Sequence, residues 1–303
     1  MNKNRQSAIM NAACYANGYN PLIAWTPSIG FRPNALKYAN RFNHLNLGEE
    51  FLINSYTLRG DIENHGSLEI YTSDSELTML SKMDKRERNS HKISLPDSIP
   101  LNISLAEAIF NRRSIATYTG DSIGLPHLAT VLRAANGVSS QAIVRSNSGG
   151  KICVKLRTIS SGGGLYPVSL FVIVLNIKGL TRGIYEYLPT DDALYLFQDE
   201  KHIRPLLSGM AITDEQISFS RANYILLMVG HPWKSMRKYG NKGLRFILQE
   251  IGSISQNVHL SNIGLGLGSI DCGGFYENEF NDALHFDGIN QSILHTIIAG
   301  IAG

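Results

Sequence analysis

The chain is poor in cysteine, with three in 303 residues. Cys14, Cys153 and Cys272 lie far apart and are odd in number, so they form neither a C-x-x-C metal pair nor a disulfide framework. A chain of this length buries a full core without such staples, and a reducing cytoplasm is the expected setting. No apolar run reaches membrane-spanning length, and the N-terminus lacks a basic segment followed by the apolar stretch of an export signal. The expectation is a soluble, unexported protein with no membrane partner. Charge is scarce too: 17% of residues are charged and the net charge is +3. The basic residues are scattered apart from the mixed run Lys82–Lys92, so nucleic acid is not an expected partner. The two commonest phosphate loops are absent. There is no Gly-Lys-Ser/Thr of a Walker loop, and the glycines at 264–268 follow a helical segment instead of opening a strand–turn–helix unit. No cluster with metal-ligand spacing stands out.

Glycine is plentiful, at 28 residues, and it is grouped. The stretch Arg157-Thr158-Ile159-Ser160-Ser161-Gly162-Gly163-Gly164-Leu165-Tyr166-Pro167 runs directly into the apolar segment Val168–Leu175. Three bare backbone positions in a row let a flat or anionic ligand approach, with serines and an arginine beside them to hydrogen-bond. The same composition also serves an ordinary turn. A second group, Gly264-Leu265-Gly266-Leu267-Gly268 followed by Asp271-Cys272-Gly273-Gly274-Phe275, is another place where backbone can meet a ligand. Cys272 in it reads as a buried hydrophobe, since no histidine is fixed beside it.

The first hundred residues are polar and asparagine-rich, with short apolar patches at Phe51–Ile53 and Leu68–Tyr71. Charge, serine and two prolines from Lys82 to Pro100 have the composition of a connecting segment, which divides the chain into an extension, 1–95, and a main domain, 96–303. From Ser104 the pattern sharpens: Ser104 caps a helix with Glu107 three positions on, and Leu105, Ala108 and Ile109 share a face. A second helix is expected over Pro126–Ala135, closed by Asn136-Gly137. Val168–Leu175 and Ala222–Val229 read as buried strands, Ile184–Leu188 and Ala193–Phe197 as a hairpin, and Ile293–Ile301 as a last strand. Leu244–Leu260 returns to helical spacing, with Leu244, Ile247, Leu248, Ile251, Ile254, Val258 and Ile263 on one side. Helices and strands mix without the regular alternation of a doubly wound parallel fold.

Two further segments carry chemistry. Asn111-Arg112-Arg113-Ser114 places two guanidiniums and a hydroxyl at a helix end, which suits a phosphate and equally suits a helix C-cap. The run Lys234–Arg245 gathers cationic and phenolic groups and is closed by glycines, as in a solvated turn. A lysine or tyrosine among cations also has its pKa pushed down, which is what a general base needs.

In order and spacing, Arg112-Arg113-Ser114, Arg157–Pro167, Lys238-Tyr239-Gly240 with Arg245, Glu250, Gln256-Asn257 and the 264–275 turns resemble the SagB-type dehydrogenases. These are a branch of the flavin-dependent nitroreductase superfamily. The resemblance covers about two-thirds of the chain, from Leu95 onward, and is vague over Leu36–Ser55. It implies an α+β fold, a mostly antiparallel sheet surrounded by helices, dimeric, with FMN at the subunit interface. It implies oxidation of thiazoline and oxazoline rings in ribosomally made peptides to thiazoles and oxazoles, with an azoline-containing precursor peptide as substrate and a cyclodehydratase as partner. On this resemblance Arg112, Arg113 and Ser114 hold the phosphate and ribityl chain. Arg157, Ser161, Gly162, Gly163, Gly164 and Leu165 line the flavin, with Gln256 and Asn257 also contributing. Gly273 and Gly274 approach its N5 edge, and Lys238 and Tyr239 are the catalytic pair. No metal is implied. Two positions depart from the pattern: Ala116 stands where relatives often carry a third arginine, and Ser160 where they often carry proline. The superfamily also contains NAD(P)H-dependent nitro- and quinone reductases, and a non-catalytic, flavin-containing scaffold is a third reading.

Overall fold

The computed structural model describes residues 47–56, 92–145 and 149–303. The chain divides into two units, 1–59 and 60–303. The described residues of the first form a short helix, α1 (Leu47–Asn54). The Leu68–Tyr71 patch, and the charged run as far as residue 91, fall outside the described residues.

The second unit is built on a seven-stranded sheet in the order β1-β8-β7-β5-β9-β11-β10. The strands are β1 (Lys92–Ser94), β5 (Val168–Val174), β7 (Gly183–Leu188), β8 (Ala193–Asp199), β9 (Tyr224–Gly230), β10 (Gly268–Cys272) and β11 (Ser292–Gly300). Every neighbouring pair in it is antiparallel. A short parallel pair, β2 (Ile123–Gly124) with β6 (Ile177–Lys178), and an antiparallel hairpin, β3 (Val138–Arg145) with β4 (Lys151–Arg157), stand beside it. The fold is therefore α+β with a mostly antiparallel sheet flanked by helices.

The central strands are continuous apolar runs because both sheet faces are covered. Leu170 and Val172 of β5, and Leu226 and Met228 of β9, pack on one face beneath α3 (Leu125–Asn136) and α6 (Lys242–Gly264). Phe171 and Ile173 of β5, with Ile225 and Leu227 of β9, turn to the other face. There they meet α4 (Ile203–Ser208) and α7 (Glu277–Ala283) through Leu206 and Phe280. The alternation is the period of two that a pleated strand imposes.

The expected helices form, with corrections. Ser104 and Glu107 make a full capping box on α2 (Leu105–Asn111). Ala108 is buried as expected, but Leu105, Ile109 and Phe110 are exposed, Phe110 to 76%. On α6, Ile247, Ile251, Ile254 and Val258 face the core, whereas Leu248 is half exposed. At 3.6 residues per turn, a residue directly after Ile247 points about 100° away from it. The run 234–245 is not a solvated turn: it contains α5 (Pro232–Tyr239) and the start of α6. The β3–β4 hairpin gave no sequence signal, since Ile143, Val144 and Leu156 are exposed and its alternation carries no burial.

Leu226 lies at the middle of β9 and is fully buried. Leu226→Ala is expected to lower stability by about 2–5 kcal/mol, read as a lower urea midpoint with an unchanged slope.

Candidate active site

The triple glycine forms a 3-10 turn between β4 and β5, entered from Ser161. Gly163 and Gly164 have φ of +65° and +67°, a region open to glycine and costly for residues with a Cβ. Gly163 needs its missing side chain for a second reason. A Cβ there would run into Tyr239 Oη and come within 2.9 Å of Lys238 Nζ. Gly162 lies against the Phe246 ring, where a Cβ would stand 3.0 Å from Cδ2. Tyr239 meets Phe246 edge-on with centroids 4.9 Å apart, and Lys238 Nζ lies 5.4 Å from the Tyr239 ring centroid. The loop, Lys238, Tyr239 and Phe246 thus form one group.

Two other glycines place that pair. Gly240, at φ +55°, ends α5 directly after Tyr239. Gly243 lets α6 begin against the α5 backbone, since a Cβ on it would stand 2.8 Å from Met236 N. Burial pushes the Lys238 ammonium below the ordinary lysine range, because the charged form loses water.

The end of the loop is strained and held. Tyr166 has φ +46° although the next residue is Pro167, a context that favours extended backbone. Three contacts fix it. Tyr166 N–H donates to Ser161 Oγ at 2.9 Å, Lys234 Nζ donates to its carbonyl at 3.0 Å, and Arg157 N–H donates to its phenol oxygen at 3.0 Å. The Arg157 guanidinium stacks on the Tyr166 ring, 4.6 Å from its centroid, and donates to Asn136 Oδ1. Such strain persists where the surroundings over-determine it.

Beneath the loop stands Glu250 of α6, 2% exposed. Its Oε1 accepts the Val168 N–H at 3.3 Å, and Oε2 has no hydrogen-bond partner among the described residues. Burial pushes this carboxyl up to about 7, against the opposing effects of the Ser161 hydroxyl, the Arg157 charge, the Val168 N–H and the Lys234 charge.

A second group forms along β10. Ser114 pairs with Ser269 as an added parallel bridge, and Ile115 N–H donates to the Ser269 carbonyl at 3.1 Å. This brings Arg112–Ser114 to the edge that ends in Gly273 and Gly274. Arg113 Nη1 donates to the carbonyls of Phe110 and Arg112, so Arg113 acts as a cap on α2. Gly273 is exposed, and a Cβ on it would meet nothing within 4 Å. Asp271, beside them, accepts from Ser255 Oγ and pairs with His295 and His259. Burial raises its carboxyl, but the bonds from His259, His295 and Ser255 outweigh that and bring it well below the carboxylate range.

The remaining expected residues flank the two groups. Leu165 is buried, 2% exposed, and Cys272 sits in the core. Gln256 is exposed, while Asn257 Nδ2 donates to the Ala134 carbonyl and ties α6 to α3. Phe246, Tyr166 and Lys234 were not singled out as site residues in the sequence; the aromatic partner of Tyr239 is visible only once α5 and α6 fold back on each other.

The nitroreductase family model matches residues 109–301, a span that holds both groups. The chain belongs to the nitroreductase family. A curated relative assigned as a nitroreductase in Methanocaldococcus jannaschii is 30% identical over 193 residues, 64% of this chain and 89% of that protein. Among solved structures, a nitroreductase from Ralstonia eutropha superposes with a TM-score of 0.54 at 19% identity, covering 71% of this chain and 90% of that one. A larger Anabaena variabilis nitroreductase gives 0.54 at 19% identity; the match covers 70% of this chain and 42% of that chain. The Escherichia coli microcin synthetase McbBCD, solved with truncated pro-MccB17 bound, gives 0.51 at 21% identity over 75% of this chain and 82% of the matched one. The structural likenesses show the nitroreductase fold, and membership of the family makes the chain an oxidoreductase. FMN is the cofactor of nitroreductases. No helix among the described residues is long and apolar enough to cross a membrane.

The raised Glu250 pKa has a signed consequence. The fold favours the protonated form, so its contribution is fully present below the unfolded value of 4.5 and is lost as pH rises through about 7. Glu250→Gln should therefore gain stability relative to the parent between these two pH values. The expected gain is on the order of 2–3 kcal/mol, read from urea titrations across that range.

Proposed function

We propose that this nitroreductase is an FMN-dependent azoline dehydrogenase, converting thiazoline or oxazoline rings of a ribosomally made peptide to thiazoles or oxazoles. The observation that carries the reading is the meeting of Lys238 Nζ and Tyr239 Oη with the bare backbone of Gly163. It sets a proton acceptor beside the backbone of Gly164, where a Cβ would meet nothing within 4 Å. The solved McbBCD complex with its pro-peptide supports a peptide as substrate and an assembly with other subunits; a cyclodehydratase is the partner proposed.

The residues fit FMN. Gly164 gives open backbone beside Lys238 and Tyr239, Ser161 borders the loop, and Gly273 leaves backbone open at the β10 end. Arg112, Arg113 and Ser114 offer the donors that a phosphate takes. Bound FMN supplies a hydride acceptor at N5. Aromatising an azoline removes a proton from one ring carbon and a hydride from its neighbour. Lys238, with its ammonium destabilised by burial, takes the proton; Tyr239 orients the ring through its hydroxyl. Phe246 and the loop exclude water around that transfer.

The two groups of residues belong to different ends of α6. Phe246 touches the glycine loop and His259 bonds Ser269 of β10; thirteen residues at the helical rise separate them by about 20 Å. A homodimer, with the loop of one subunit facing the β10 edge of its partner, would bring them onto one FMN. The exposed apolar side chains of Leu105, Ile109 and Phe110 on α2 support a buried face there.

A second reading has its own support. The curated relative from M. jannaschii favours an NAD(P)H-dependent nitro- or quinone reductase. Kinetics separate the two. Lys238→Ala should keep its flavin and lose about 10²–10⁴-fold in azoline oxidation; parental rates in that variant sink the assignment, and nitroaromatic reduction driven by NADPH at a far higher rate than azoline oxidation favours the reductase. For assembly, light scattering should give a particle of twice 33.4 kDa. Phe110→Lys should shift it toward the monomer and weaken FMN retention together.

A further inference from the structure

Asp271 of β10 is the centre of a cluster of titratable side chains that the proton transfer to Lys238 does not use. Its Oδ1 accepts from Ser255 Oγ at 2.6 Å and from His295 Nε2 at 2.7 Å, and its Oδ2 accepts from His259 Nε2 at 2.9 Å. The carboxyl is ionised at neutral pH, because these bonds outweigh the effect of burial. An ionised carboxylate only accepts, so both imidazoles present Nε2–H to it.

The two histidines differ in what they do with the second nitrogen. His259 is 4% exposed and its Nδ1 bonds Ser269 Oγ at 2.7 Å, so both of its nitrogens serve to tie α6 to β10. The His295 side chain is 24% exposed; its Nδ1 is not buried and has no hydrogen-bond partner among the described residues. With the proton held on Nε2, Nδ1 carries the lone pair. A carboxylate that fixes the tautomer and orientation of an imidazole while the far nitrogen stays open is the arrangement of a general base. A brace has no use for that open nitrogen, and His259 and Ser255 already join β10 to α6.

The sheet register gives this pair its place. Cys272 pairs with Thr296, so one step further along the antiparallel pair His295 comes beside Gly273. Gly273 is exposed, and a Cβ on it would meet nothing within 4 Å; it is the open backbone at the β10 end, where FMN fits. We propose that Asp271 and His295 form an acid–base dyad at the flavin edge, in which His295 Nδ1 takes the N5 proton of the reduced flavin when dioxygen re-oxidises it. The inference rests on the FMN reading of the site, with Gly273 at the N5 edge. The hydride held at N5 leaves as two electrons and a proton. The electrons pass to dioxygen, His295 hands the N5 proton to the reduced oxygen, a second proton comes from solvent, and hydrogen peroxide leaves. His295 is the catalytic residue of this step, and Asp271 is a positioning residue that acts through it.

The first readout does not involve turnover. Diethyl pyrocarbonate acylates an imidazole nitrogen that carries a lone pair, and peptide mass locates the modified residue in the full-length protein with FMN removed and with FMN restored. His295 is expected to be modified in the apoprotein and protected by bound FMN, while His259 stays unmodified in both. The second readout follows flavin absorbance after the photoreduced flavoprotein is mixed with air-saturated buffer, with no peptide present. His295→Gln keeps a donor for Asp271 but has no ring base; it should retain FMN and slow re-oxidation about 10²-fold. Asp271→Asn should slow it too without releasing FMN, and added imidazole should restore part of the rate in His295→Ala. Equal modification of His295 with and without FMN overturns the inference, as does re-oxidation of His295→Gln at the parental rate. A protein that binds no FMN overturns the flavin reading and this inference together. Since neither readout uses an azoline, failure here alongside azoline oxidation by the parent removes the dyad and leaves the dehydrogenase reading intact.

Discussion

The close approach of α5 to the glycine loop governs the site. Lys238 and Tyr239 reach the backbone of Gly163 because no Cβ stands there, and they stay because Gly240 ends α5 and Gly243 lets α6 start against it. Three glycines in three places solve one packing problem. Each gives up conformational restraint in the unfolded chain, a cost a purely structural turn would have no cause to bear at three linked positions.

The loop is also held from below. Glu250 lies buried under it, bonded to the Val168 N–H, with the charges of Arg157 and Lys234 close by. Tyr166, forced to positive φ before a proline, is fixed by Ser161, Lys234 and Arg157. Arg157 and Lys234 therefore hold the end of the loop from two sides, one through the Tyr166 ring and phenol oxygen and the other through its carbonyl.

Much of this was legible in the sequence. The strands at 168–174, 224–230 and 292–300 are apolar and rich in β-branched residues because the centre of the sheet is covered on both faces, and that pattern reads directly; the hairpin of 183–188 and 193–199 reads from its two apolar runs and the turn between them. The capping box at Ser104 and Glu107 was visible from spacing alone. The β3–β4 hairpin was not, because an exposed hairpin has no burial to impose alternation. α5 was missed because helical periodicity over eight residues is masked by the cationic and phenolic groups that serve the site. At the site, the clustered motifs named Lys238, Tyr239 and the glycines. Their contact with one another, and the role of Phe246, depend on two helices folding together and leave no mark in local sequence. The spacing of Leu105, Ala108 and Ile109 gave the helix α2 correctly, but only Ala108 is buried, because spacing marks a face and not what covers it.

The most direct test of the account is an anaerobic single turnover. Purified flavoprotein is mixed with an azoline-containing peptide in the absence of NAD(P)H, and flavin absorbance is followed together with the mass of the peptide. The account predicts bleaching of the flavin in step with a loss of two mass units from the peptide, one azole formed per flavin reduced. A flavin that stays oxidised with the peptide, yet bleaches at once on adding NADPH, would contradict it.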